Sequence, residues 1–450
     1  MIPQHPHVAI ITLGCAKNEV DSAAMAKRLT QAGFTMVENP LEAHAIIINT
    51  CSFIQSATEE SLEAIFDAAD LPNVADGTPL IVSGCMPARY GDELADELTE
   101  ASAFVPCDKE ANIVAIVADQ LNLTLDEHGK LDTAAHVTTH ESTTDENAQA
   151  TEITISEQSV SAYVKISDGC DRFCSYCTIP FIRGRYHSFP FEKIYEDVAE
   201  HVNNGVREIV LIAQDTGRWG KDFEEQSSLA HLMTKLSESF PTTWFRVMYL
   251  QPEGITDELL NAMARHDNIC SYLDIPLQHV DPTILHAMNR KGSRLEYEDL
   301  IHHINELVPD ITLRTTLIAG FPGETEEAFN DLLDFVSEGY FDYVGVFAYS
   351  QEDGTKAAML PDQIDEDEKQ DRAQQLRESA DAVSASRIAE RIGKTIDVLV
   401  EGFEEDGQCF GRGMCQAPEV DGVTYITSGT PGEIKQITIA DTLFYEMEGE

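Results

Sequence analysis

The chain has 450 residues, 30 of them basic and 79 acidic, for a formal net charge of −49. That length admits roughly two to four domains with cores of their own, and such a charge repels phosphate backbones and attracts basic proteins, which counts against nucleic acid as a direct substrate. Ten cysteines are no disulfide scaffold, no apolar run approaches the ~20 residues of a membrane span, and the first residues, MIPQHPHVAI, lack a signal peptide's pattern. A cytoplasmic protein with reduced thiols is expected.

Residues 5–123 read as short apolar strands alternating with amphipathic helices, the pattern of a Rossmann-like parallel sheet. HVAIITL runs into Gly14 and Cys15, then a helical stretch from Asn18 to Ala32. HAIIIN runs into Thr50 and Cys51, and Ser56 with Glu59 suggests a capping box opening the helix ESLEAIFDAA. PLIVS runs into Gly84 and Cys85, followed by a helix through GDELADEL. Ligands of parallel sheets sit outside the carboxyl ends of the strands. Cys15, Cys51 and Cys85 each follow a different strand and so converge on one edge, as a three-thiolate site. Cys107, in FVPCDKE, lacks this pattern and is left unassigned. Cys270, Cys409 and Cys415 read as packing residues or incidental thiols.

From 124 to 155 the chain is acidic, rich in Thr and Ala, and without apolar periodicity, and an acidic flexible linker is expected. Residues 156–387 alternate again. The strands SAYVKIS, REIVLIA, WFRVMYL, SYLDIPL, ITLRTTLIAG and FDYVGVFA are separated by helices such as FEKIYEDVAEHV. Six such units suggest a partial TIM-like (β/α)6 barrel with function at the carboxyl ends of its strands. Directly after the first strand come Cys170, Cys174 and Cys177, spaced C-x3-C-x2-C. A structural zinc site closes with four protein ligands. Three thiolates on one loop can instead hold a four-iron cluster and leave one iron open. Gly320 to Glu324 follow the fifth strand, where glycines let backbone approach a ligand. Gln214–Asp215 and the stretch from Asp274 to Gln278 occupy comparable positions. No histidine or carboxylate stands in a triad-like or paired setting, so no catalytic group beyond the cluster ligands is assigned. Residues 389–450 read as short strands between glycine turns, a small antiparallel barrel. It carries four basic and thirteen acidic residues, a net of −9, the wrong sign for RNA binding.

The run SDGCDRFCSYCTIP resembles the cysteine loop of the radical S-adenosylmethionine superfamily at every ligand position, including the aromatic Tyr176 before the third cysteine. In that superfamily the Gly320, Gly323 and Glu324 region helps to hold S-adenosylmethionine. The last barrel resembles a TRAM domain. With the three dispersed N-terminal cysteines, the whole chain resembles the methylthiotransferase family. The runs LGCAKNEVDS, AQDTGRWG, YLDIPLQH, MNRKGS, GFPGETEE, LPDQI and APEVDGVTYI are similar to its RimO-like branch, which modifies an aspartate of small-subunit ribosomal protein S-twelve. The alternatives are the MiaB-like branch, which modifies adenosine in tRNA, and a non-catalytic metal-binding scaffold. The resemblance implies two [4Fe-4S] clusters, one on Cys15, Cys51 and Cys85 and one on Cys170, Cys174 and Cys177. It further implies S-adenosylmethionine as cofactor, with Tyr176, Gly320, Gly323 and Glu324 around it. The implied partners are S-twelve, free or in the small subunit, and a low-potential electron donor.

Overall fold

Runs of β-branched residues too apolar to face water on either side dictate the first unit. The computed structural model describes residues 5–132 and 159–450. Strands β1 (His7–Thr12), β2 (Thr35–Met36), β3 (Ala45–Thr50), β4 (Leu80–Gly84) and β5 (Ala103–Pro106) form one parallel sheet, ordered β2-β1-β3-β4-β5. The helices are α1 (Ala16–Ala32), α2 (Gln55–Ala69), α3 (Pro72–Ala75), α4 (Cys85–Tyr90), α5 (Asp92–Glu97) and α6 (Ile113–Gln120). Ile47, Ile81 and Val105 turn to one face, against Met25 and Leu29 of α1 and Val117 of α6. Ile46, Ile48 and Val82 turn to the other, against Ile65 and Ala68 of α2. This period-two alternation lets a fully buried strand serve two cores.

Two local expectations are corrected. No capping box opens α2. The helix starts at Gln55 after Ile54, without a side-chain cap, and Glu59 accepts from Gln55 Nε2 at 2.9 Å instead. Nor does a linker begin at 124. Leu125 pairs with Leu131, the Leu131 amide donates to the Ala32 carbonyl at 2.9 Å, and the Leu131 side chain lies over Gly33. Two leucines six residues apart suffice to fold this turn onto the end of α1. The rest of the expected linker, 133–155, lies outside the described residues.

The second unit takes in residues from 158 to 177 and from 186 to 450, while 178–185 group with the first unit. Its elements begin with β6 (Ser161–Lys165) and β7 (Ser167–Asp168); α7 (Ile179–Ile182) belongs to the first unit's segment. Then follow β8 (His187–Ser188), α8 (Phe191–Asn203), β9 (Glu208–Ile212), α9 (Leu229–Ser239), β10 (Trp244–Val247), α10 (Asp257–Arg265) and β11 (Tyr272–Asp274). The barrel continues with α11 (Pro282–Ala287), α12 (Arg294–Leu307), β12 (Thr312–Ala319), α13 (Glu326–Ser337) and β13 (Tyr343–Ala348), before α14 (Glu366–Ala389). Side chains of Ser228, Thr256, Ser293 and Thr325 cap α9, α10, α12 and α13, satisfying amides that the helix leaves open. The parallel trios β6-β9-β10 and β11-β12-β13 meet through the Phe245–Ile269 bridge and the Leu250 amide on Asp274. Together they form the partial barrel, whose Leu211, Phe245, Val247, Leu273, Leu313 and Leu317 share one buried cluster with helix residues such as Ile194, Leu232, Leu260 and Phe335.

The C-terminal residues close a five-stranded barrel of β14 (Thr395–Phe403), β15 (Cys409–Gly413), β16 (Thr424–Ile426), β17 (Ile434–Leu443) and β18 (Glu446–Gly449). Its pairings are antiparallel except that β16 and β18 run parallel. A buried ion network ties it to the (β/α) barrel. Arg412 reaches Glu208 on β9 and Glu401 on β14, and Arg246 binds Glu208 at 2.8 Å. Burial, the largest influence on Glu208, pushes its carboxyl up, but the two guanidiniums outweigh it and hold the group at about 2. Removing one partner leaves a buried charge uncompensated, so Arg412→Met is expected to cost ~3–5 kcal/mol. A depressed carboxyl contributes stability above its ordinary value of 4.5 and loses it as pH falls toward about 2. The melting-temperature gap between variant and wild type is therefore expected to be widest near neutrality and to narrow in acid. An equal gap at both ends of a pH series would contradict this.

Candidate functional site

The sheet register of the first unit places its cysteines. Thr50 on β3 pairs with Gly84 on β4, so Cys51 and Cys85 leave neighbouring strands side by side. Cys15 stands at the N-terminus of α1. The turns are tight because the strand ends crowd. Gly14 has φ +93°, and a β-carbon there would lie 2.5 Å from Cys51 Cβ. A β-carbon on Gly84 would meet Asn49 Oδ1 at 2.3 Å. These contacts explain the glycines that precede Cys15 and Cys85.

Three residues that the sequence had not singled out complete this edge. Asn18 is fully buried; its Nδ2 donates to the Leu13 and Thr50 carbonyls at 2.8 and 3.0 Å. Its Oδ1 faces the Cys85 sulfur at 3.8 Å. Arg183 donates to Asp21 at 2.6 Å, to Asn18 at 2.8 Å and to Cys85 Sγ at 3.8 Å. Cys107 begins the turn after β5 and shares hydrogen bonding with the Cys85 thiol, as Cys51 does. Cys85 is consequently held well below the usual thiol range by Cys107 and Cys51, with Arg183 adding to the effect. Cys51 and Cys107 are raised, first by donating to Cys85 and then by burial. Cys85 thus has Cys51, Cys107 and the Arg183 guanidinium as neighbours. All of these thiols are free. Among the described residues no three metal-binding side chains close on a point suited to a single ion. Thiolates of a four-iron cluster each take a different iron and need not converge in that way.

In the second unit, the Cys170–Cys177 loop is clamped from outside itself. The Ser175 amide and hydroxyl donate to the Met288 and Ala287 carbonyls at 3.0 and 2.7 Å. Asn289 Nδ2 donates to the Arg172 and Phe173 carbonyls at 3.0 Å, supporting Phe173 at φ +50°. Arg172 bonds Asp215 at 2.6 Å and Glu253 at 3.0 Å. Cys170, Cys174 and Cys177 are half-buried, and burial pushes the Cys170 thiol up, with Asp215 adding to it. The Tyr176 ring stands edge-on to Phe321 at 6.5 Å. Acceptors without a partner among the described residues follow the strands around this loop. They are Gln214 Oε1 and Asp215 Oδ1 after β9, Gln251 Oε1 after β10 and Gln278 Oε1 after β11. A ligand rich in ammonium, hydroxyl and amino donors would satisfy them, and S-adenosylmethionine is such a ligand. Asp274 lies deeper, bonding the Tyr249 amide and Arg314 at 3.1 Å each.

Three family models match the chain. They are the uncharacterized protein family UPF0004 over residues 7–106, the radical SAM superfamily over 164–336, and the TRAM domain over 392–450. A curated relative from Desulforamulus reducens, "Ribosomal protein uS12 methylthiotransferase RimO", is 40% identical over 450 residues, covering 99% of each chain. Those of Syntrophus aciditrophicus and Geobacter sulfurreducens, with the same name, are each 40% identical over 98% of both chains. The chain belongs to the RimO methylthiotransferase family. It is accordingly a radical S-adenosylmethionine transferase of a family that works with two [4Fe-4S] clusters. The fold is also shared with TsrM, the radical S-adenosylmethionine methyltransferase of Kitasatospora setae, at 13% identity and TM-score 0.53, over 76% of this chain and 72% of that one.

The glycine loop of this RimO-family chain is more structural than its sequence suggested. Gly320 has φ +76°, and a β-carbon there would meet Lys369 of α14 at 2.4 Å, so close helix packing demands the glycine. Glu324 is buried. It accepts from the Gly320 amide at 3.0 Å and from Arg372 at 2.7 Å, and it faces His279 at 3.3 Å. Only Gly323 borders open space. Cys270, in the packing role expected of it, is fully buried and pushed up to about 12.

Proposed function

We propose that this transferase inserts sulfur and a methyl group at the β-carbon of an aspartate of ribosomal protein uS12. Cys170, Cys174 and Cys177 would hold the cluster that binds S-adenosylmethionine, and Cys15, Cys51 and Cys85 the auxiliary one. The observation that carries this reading is the pair of three-thiol sets at the carboxyl ends of parallel strands in separate units. When bound, these groups supply a one-electron cleavage of S-adenosylmethionine to a 5′-deoxyadenosyl radical, sulfur for the substrate carbon, and a methyl group from a second S-adenosylmethionine. The chain's own residues position and shield. The Ser175 and Asn289 clamps fix the loop, Tyr176 with Phe321 walls it from water, and the acceptors of Gln214, Gln251 and Gln278 orient the nucleoside and amino groups. Gly323 offers backbone to the same ligand, while Gly320 and Glu324 hold that loop on α14. A low-potential donor supplies the electron, and the reaction belongs in the cytoplasm. No described helix is long and apolar enough to cross a membrane.

A basic protein substrate agrees with where the charges lie. Of the four cations in residues 389–450, Arg412 turns inward to Glu208 and Arg391 to Asp342. Glu404, Glu405 and Asp406, by contrast, form the exposed turn after β14. Asp421 turns inward as well, to Tyr272 and Arg314, so the exterior of this barrel keeps a strong acidic excess. Substituting all three with glutamine is expected to slow association with uS12, most at low ionic strength, because exposed charges are screened beyond ~8 Å in physiological salt. Cleavage of S-adenosylmethionine alone should not change. Association rates that match wild type across a salt series would exclude this turn as a docking patch. The functional reading itself is tested by offering labelled methyl donor with tRNA or with uS12: label is expected in the protein, and label in tRNA would overturn the substrate.

A further inference from the structure

Cys107 is the one thiol at the strand-end edge that has no role in the reading above, and the register gives it a place. Gly84 on β4 pairs with Thr50 on one side and with Pro106 on the other. Cys51, Cys85 and Cys107 are therefore the next residues on three adjacent parallel strands, about 4.8 Å apart along the sheet. Cys85 lies between the other two and shares hydrogen bonding with both. Cys107 thus stands to Cys85 on one side as Cys51 does on the other. Asn18 and Arg183 face the same sulfur, and Arg183 supplies positive charge to an edge where several thiolates would gather.

We propose that Cys107 is the fourth thiolate of this site and closes the auxiliary cluster's otherwise open iron in the resting enzyme. This rests on the assignment of Cys15, Cys51 and Cys85 to that cluster. A thiol held by the fold beside an open iron acts at an effective concentration on the order of millimolar or above, which favours it over sulfur donors arriving from solution. On ligation the Cys107 S–H bond breaks, its proton leaves to solvent and an iron–sulfur bond forms, with no electron transferred. Incoming sulfur must then displace Cys107, so this residue gates entry of sulfur to the site.

The test uses the full chain with Cys170, Cys174 and Cys177 replaced by alanine, so that only the strand-end site can carry iron. After anaerobic reconstitution, the reduced protein is titrated with cyanide and followed by electron paramagnetic resonance. Cys107 is expected to leave the spectrum unmoved by cyanide, and adding Cys107→Ala is expected to give a cyanide-dependent shift at unchanged iron and sulfide content. An equal shift in both proteins would overturn the role of Cys107 while leaving the cluster assignment intact. Absence of iron from both would overturn the assignment itself. Alkylation by iodoacetamide gives a readout without substituting Cys107. The thiol should be protected while iron is bound and react after chelation, and equally fast modification in both states would reject the proposal.

Discussion

Cys174→Ala is expected to abolish reductive cleavage of S-adenosylmethionine. Cys174 is the middle ligand of the C-x3-C-x2-C loop, and its loss leaves two thiolates for a cluster that normally takes three or four. The backbone of the loop does not depend on that side chain. It is clamped by Ser175 on Ala287 and Met288 and by Asn289 on Arg172 and Phe173. The variant should therefore fold with wild-type circular dichroism while formation of 5′-deoxyadenosine under dithionite falls to the level of the iron-free protein. Cleavage that persists at the wild-type rate would show that the loop is not the S-adenosylmethionine cluster site.

Cys51→Ala is expected to separate the two chemistries. Its backbone is pinned independently of the sulfur, because the Cys51 amide donates to Ser61 Oγ at 3.1 Å and the Ser61 hydroxyl donates back to the Cys51 carbonyl at 2.7 Å. What the substitution removes is one thiolate and the hydrogen bond to Cys85. 5′-Deoxyadenosine should still form, uncoupled from product, while methylthiolated uS12 falls below detection. Product at the normal rate would remove the auxiliary cluster from the reaction.

Much of this architecture was legible in the chain because strands and helices announce themselves by different periods. AIIIN and LIVS could be little else than buried parallel strands, and the cysteines after them could only emerge at one edge. Cys107 was not legible by the same logic. Its strand, AFVP, is short and ends in proline, and only the non-local register of Gly84 with Pro106 brings it beside Cys85. Arg183 and Asn18 were hidden for a similar reason, since their partners lie more than thirty residues away or in another segment. The α14 helix carries charge around most of its circumference. Its buried positions Ala373, Leu376, Ala380, Ser384 and Ile388 make too narrow a stripe to stand out by period alone. The glycine loop misled in the opposite direction. Glycine signals close approach, but the approaching partner of Gly320 is Lys369 of the same chain.

The most direct test of the proposed activity is mass spectrometry of ribosomal protein uS12 from cells with and without this gene. The expected result is a methylthio group on one aspartate that disappears with the gene and returns when the gene is restored. Unmodified uS12 in both strains, with methylthioadenosine lost from tRNA instead, would contradict it.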